Sequence, residues 1–183
     1  RGAGLVEAGI RTYVTLYHWD LPQALQDAGG WPARDTALAF AEYAEVMAQA
    51  LGDRVASWAT LNEPYVSAFA GYFQGRHAPG HQSLNEMLAT SHHLLLAHGL
   101  ALPALRANVQ GEVGIVLNLQ EHEPASESAL DAEAAWLADG KHNRWYLDPL
   151  AGRGYPADAV ADFDRPMDFV QAGDLEAIAA ALD

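Results

Sequence analysis

The chain has 183 residues, half of them hydrophobic, and its 10 Lys and Arg against 24 Asp and Glu give a formal net charge of −14. That length suits one compact domain. The scarce, scattered basic residues argue against a nucleic-acid partner, which needs clustered positive charge. No apolar run approaches the roughly 18 residues of a membrane helix. The absence of cysteine rules out disulfides and thiolate metal sites.

Read in chain order, Arg1 to Gly9 looks like the end of a helix closing on a C′ glycine. Any signal peptide would lie before Arg1, and the compartment expected is the cytoplasm. Thr12 to Tyr17 is rich in β-branched and aromatic residues and reads as a first strand. An amphipathic helix follows, with Asp35 as the expected cap, Phe40, Ala44, Met47 and Leu51 at helical spacing, and Gly52 as the stop. Val55 to Leu61 reads as a second strand. Ser83-Leu84-Asn85-Glu86 fits a capping box and opens a long helix toward Arg106, which Pro103 is expected to kink or end. Val113 to Leu119 reads as a third strand and Ala129 to about Asn143 as a helix. After a turn-rich tail from Asp148, Asp174 to Ala181 reads as a last short helix.

All three strand segments are largely apolar on both alternating sets, as expected of parallel strands covered on both faces. Strands alternating with helices predict βαβ units and an α/β fold with a parallel sheet. No linker or repeat divides the chain, so residues 1–183 read as one domain. Three strands do not close a (β/α)8 barrel, which usually needs about 250 residues.

The residues that suggest chemistry cluster where two strands end. His18-Trp19-Asp20-Leu21-Pro22 follows the first strand and Asn62-Glu63-Pro64 the second. Parallel strands open their C-terminal ends on one face, so His18, Trp19, Asn62 and Glu63 are expected to converge there. Glycoside hydrolysis needs a carboxylic acid to protonate the leaving oxygen and a second carboxylate across the anomeric carbon. Burial and nearby negative charge keep such an acid protonated, and Glu63 is the candidate. Asn62 suits a sugar 2-hydroxyl, His18 another hydroxyl and Trp19 a sugar face. Taken singly, each has a plainer reading: a loop carboxylate in an ion pair, a structural histidine, a core tryptophan. Their joint occurrence at the ends of consecutive strands favours the site.

Longer segments carry a resemblance. Tyr17 to Leu25 followed by Gly29-Gly30-Trp31 resembles the third-strand segment of family-one glycoside hydrolases, the β-glucosidase family. Trp58 to Pro64 resembles that family's acid/base segment. Gly71-Tyr72 and Gly75-Arg76-His77-Ala78-Pro79-Gly80 match the loop that follows. Gly114 to Asn118 resembles the fifth strand, and Ala138 to Trp145 the helix after it. The resemblance implies part of a (β/α)8 TIM barrel, truncated at both ends and covering strands three to five. It implies a retaining β-glycosidase acting on small β-glucosides or oligosaccharides without a cofactor or metal. Glu63 takes the acid/base role, Asn62 the 2-hydroxyl, and His18 and Trp19 the glycone. Asn118 falls on the aglycone side, and Tyr65 stands where many members carry an aglycone-platform tryptophan.

The family's nucleophile, a Glu in a Thr-Glu-Asn-Gly segment on strand seven, has no counterpart in these 183 residues. The strand-one Gln, the strand-two Arg and the late Glu-Trp pair are also missing. The chain alone is therefore expected to be inactive and to need the rest of the barrel. Rival readings are another carboxylate-pair barrel glycosidase, a non-catalytic carbohydrate- or protein-binding relative, and a metal-dependent hydrolase drawing on the eight histidines. For the last, His92, His93 and His98 form no His-x-x-x-His pair, and His77 and His81 sit in a Pro-Gly loop, so structural or solvent-facing histidines are the expectation.

Overall fold

A computed structural model describes residues 2–180. Three parallel strands, β1 (Tyr13–Tyr17), β2 (Ser57–Asn62) and β3 (Glu112–Val116), form one sheet in the order β1-β2-β3. Val14 pairs with Trp58 and Trp58 with Val113, and the β2–β3 register slips between Ala59 and Asn62. The helices are α1 (Gly2–Glu7), α2 (Gln23–Asp27), α3 (Arg34–Leu51), α4 (Pro64–Ala68), α5 (Leu84–Asn108), α6 (Ala129–Asp139), α7 (Trp145–Leu150), α8 (Ala157–Phe163) and α9 (Asp174–Ala179). Two π-helical turns, Phe69–Phe73 and Gly140–Arg144, continue α4 and join α6 to α7. No helix among the described residues is long and apolar enough to cross a membrane.

The βαβ reading holds, with local corrections. Asp35 does not cap α3: Ala33 occupies the cap without a side-chain bond, and Asp35 lies in the first turn, where a carboxylate suits the helix dipole. Ser83 does cap α5, accepting from the Glu86 amide at 3.3 Å. The reciprocal half of the box is not made, because the Glu86 carboxylate instead bonds His81 at 2.9 Å. Pro103 does not end α5, which runs on to Asn108. The packing of α5 against α3, α9 and the sheet outweighs the local cost of the proline. β3 stops at Val116 instead of Leu119. The α6 region continues through the π turn into α7, and α8 lies within the tail that reads as turns. Gly9 closes the first helix at φ +74, while Arg1 and Ala181 lie outside the described residues.

The expectation of two covered sheet faces is also corrected. Leu16, Trp58 and Thr60 are buried on the helix side, whereas Tyr13, Thr15, Gly114 and Val116 on the alternate positions are exposed. A closed barrel covers its inner face with its own opposite strands. Three strands have no opposite wall.

Helix α5 is the hub of the core. Every residue from Met87 to Gly99 is buried, and most of its side-chain polar groups find internal partners, Thr90 Oγ1 and His93 Nε2 being the exceptions. Ser91 Oγ bonds Tyr146 Oη at 2.8 Å, His93 Nδ1 lies 3.0 Å from the Trp31 carbonyl, and His98 Nδ1 lies 2.7 Å from Thr60 Oγ1. His92 Nε2 reaches Asp174 Oδ2 at 3.0 Å and its Nδ1 reaches Tyr155 Oη at 2.9 Å. These are structural histidines, and each one is engaged elsewhere in the core. Gly99 lets α9 approach, since a Cβ there would lie 2.3 Å from the Ala177 carbonyl oxygen.

Burial, helped by repulsion from Arg106, pushes the His98 pKa down to about 4. A depressed histidine favours the fold while neutral, so its contribution is complete above the unfolded value of about 6.5 and is lost as pH falls toward about 4. At about 1.4 kcal/mol per pKa unit this is on the order of 3 kcal/mol. Urea unfolding at several pH values should show that loss in the wild type and a flatter dependence in His98→Phe. Equal slopes for the two proteins would rule out His98 as the source.

Candidate active site

β2 delivers Asn62 and Glu63 to its C-terminal end. The Glu63 amide donates to the Val116 carbonyl at 2.8 Å, which extends the β2–β3 ladder by one bond. The backbone then turns left-handed at Glu63, φ +49 and ψ +68, and Pro64 starts α4 immediately. A non-glycine residue held there stores about 1–2 kcal/mol of strain, of the kind found where a side chain must be aimed. Trp19, just beyond β1, at φ +75, and Asp164, which ends α8, at φ +48, are the other two among the described residues.

The two strand ends are tied together. The Trp19 indole Nε1 donates to the Asn62 carbonyl at 2.9 Å, across 43 positions of sequence. The His18 amide donates to Asp20 Oδ1 at 3.1 Å, and the His18 ring meets Trp19 edge-on with centroids 5.2 Å apart. Since Tyr17 pairs with Leu61, the four residues expected to share one mouth are brought to one end of the β1–β2 pair. His18 and Trp19 are exposed, and Asn62 and Glu63 are half-buried.

Asn118 and Tyr65 form a second group beside them. The Asn118 backbone and side-chain oxygens both lie 3.1 Å from His142 Nε2. The Tyr65 ring stacks on His142 with centroids 3.9 Å apart and lies 5.0 Å from Phe69. Two nearby residues have no place among the sugar-binding candidates of the sequence. His77 packs against Trp19 at 5.4 Å, and His142 joins Asn118 to Tyr65. Both fall in segments that carry the resemblance, but nothing in their spacing marks a contact.

A cavity of about 640 Å³ opens behind Trp19 and is lined by Tyr17, Gln23, Gln26, Trp31 and Tyr72 among others, without Glu63 or Asn62. Tyr72 donates to Gln26 Oε1 at 2.9 Å, and burial pushes its phenol up to about 12, so it stays a neutral donor.

The model of glycosyl hydrolase family 1 matches residues 3–183. The chain belongs to that family. β-Glucosidase A of Acetivibrio thermocellus is 52% identical over 157 residues, which cover 85% of this chain and 35% of that protein. The AHE enzyme from Alicyclobacillus herbarius superposes with a TM-score of 0.93 at 48% identity, covering 97% of this chain and 41% of that one. The family 1 β-glucosidase from Thermotoga maritima, solved in complex with isofagomine lactam, gives a TM-score of 0.90 at 40% identity and covers 98% and 41%. The chain thus spans well under half the length of the family 1 proteins it matches, and its parallel sheet is part of their (β/α)8 barrel.

Proposed function

We propose that these residues form one domain segment of a retaining β-glycosidase and carry its general acid/base, Glu63. The observation that carries this reading is the pairing of the strained Glu63, next to Asn62, with Trp19 and His18 at the same strand ends. Family membership and the isofagomine lactam complex of the Thermotoga maritima relative support it. In this reading Glu63 donates its proton to the glycosidic oxygen as that bond breaks, then takes a proton from the water that releases the glycosyl intermediate. Asn62 holds the 2-hydroxyl, whose hydrogen bond strengthens in the transition state. His18 and Trp19 hold the glycone, and Asn118 and Tyr65 face the aglycone. The substrates are small β-glucosides or oligosaccharides.

A retaining mechanism needs a nucleophilic carboxylate about 5–5.5 Å from the acid/base. No Thr-Glu-Asn-Gly segment occurs in the 183 residues. We expect the purified chain to release no p-nitrophenol from p-nitrophenyl β-D-glucoside. Turnover by the chain that disappears in Glu63→Gln would mean that a nucleophile lies within these residues or that chains assemble a site together. That result would refute the need for the rest of the barrel.

A further inference from the structure

The segment after β3, from Leu117 to Pro124, has no regular secondary structure. Its polar groups are gripped by the π turn Gly140–Arg144. His142 Nε2 donates to the Asn118 carbonyl and to its Oδ1, both at 3.1 Å. Asn143 Nδ2 donates to the Gln120 carbonyl at 2.7 Å, and the Gln120 amide donates back to Asn143 Oδ1 at 3.0 Å. The turn is itself anchored. Arg144 pairs with Asp139 at 2.8 Å and with Asp158 at 2.6 Å, and lies 3.9 Å over the Trp136 ring. A π turn inserts a residue that redirects the side chains after it, and such turns recur at functional sites.

His142 does two things at once. Its ring nitrogen fixes Asn118, just past the end of β3, and its ring face stacks on Tyr65, in the first turn of α4, at 3.9 Å and 15°. Holding Oδ1 also fixes the amide plane of Asn118, whose Nδ2 has no partner among the described residues and stays available to a ligand oxygen. We infer that His142 is a positioning residue for the aglycone side, setting Asn118 for a hydroxyl-bearing aglycone and holding the Tyr65 ring, which also stacks on Phe69, as the wall beside it. The inference rests on the proposed β-glycosidase role of the segment. It adds a residue to that site whose effect depends on the leaving group.

Two variants separate the ring's roles. His142→Phe keeps an aromatic face and loses the donor, whereas His142→Gln keeps a donor and loses the stack. In a complete barrel carrying the segment, His142→Phe should raise KM for a β-linked disaccharide about fivefold to tenfold, the scale of one lost hydrogen bond. A much smaller change is expected for β-glucosyl fluoride, which has no aglycone to hold. His142→Gln should restore most of the disaccharide KM while raising KM for an aryl β-glucoside. Equal losses on all substrates, or none, would overturn the positioning role.

If the wild-type barrel turns over no β-glycoside, the glycosidase reading fails, and the geometry is decided on the 183-residue chain. Long-range ¹H–¹⁵N correlation should then find the His142 proton on Nε2 and the Asn118 side-chain amide shifted in His142→Phe. A proton on Nδ1 alone, or an unmoved Asn118 amide, would overturn the inference.

Discussion

In a complete barrel, Glu63→Gln should lower kcat/KM for an alkyl β-glucoside by about 10²- to 10⁴-fold, the usual contribution of a positioned general acid. A glutamine has the same shape and, once the backbone is held at φ +49, meets the same strain. The fold should therefore be spared and the loss should report proton transfer. The effect should depend on the leaving group. An alkoxide cannot depart unprotonated, whereas a dinitrophenolate can, so bond cleavage with a dinitrophenyl glucoside should be slowed far less. The later step, in which a base must activate water, remains impaired and should make the intermediate accumulate. Kinetics over a leaving-group series will read this, and equal losses across the series would assign Glu63 to binding or structure instead.

Asp174 should be the most costly polar residue to remove. Arg34 grips it in a bidentate pair at 2.6 and 2.7 Å, His92 Nε2 lies at 3.0 Å, and the Gln171 amide donates at 2.8 Å. This cluster joins α9 to α3 and α5. Asp174→Ala leaves the partly exposed Arg34 without its carboxylate and His92 without its acceptor inside the core. Breaking one side of a buried pair costs about 3–5 kcal/mol, or roughly 6–20 °C in melting temperature for a chain of this size. Burial alone would raise the Asp174 pKa, but Arg34, the Gln171 amide and His92 together hold it far below the usual carboxylate range. Its stabilisation is thus present above the unfolded value of about 3.9 and is lost as pH falls below it. Calorimetry near neutral pH should show the drop for Asp174→Ala, and a shift of under about 2 °C would contradict the account.

The parts of this molecule that could be read in advance follow local periodicity. Tyr13–Tyr17 and Ser57–Asn62 are continuous β-favouring runs, and parallel topology alone brings His18 and Trp19 to Asn62 and Glu63. The end of β3 was less legible, because Leu117 and Leu119 continue the apolar pattern after the ladder has stopped at Val116. Pro103 misleads because tertiary packing decides whether a proline ends a helix. The left-handed backbone at Trp19 and Glu63 has no sequence mark, since such positions are usually signalled by glycine. Asp174 finds Arg34 140 positions away, and His142 finds Asn118 and Tyr65 only through a π turn. No spacing rule encodes either meeting.

Exchanging the matching stretch of β-glucosidase A from Acetivibrio thermocellus for this chain, and measuring p-nitrophenol release from p-nitrophenyl β-D-glucoside, tests whether Glu63 is the acid/base. A folded, active barrel is expected, with steady turnover that falls by orders of magnitude in Glu63→Gln. A barrel that folds with a cooperative thermal transition yet turns nothing over, or one indifferent to Glu63→Gln, would contradict it.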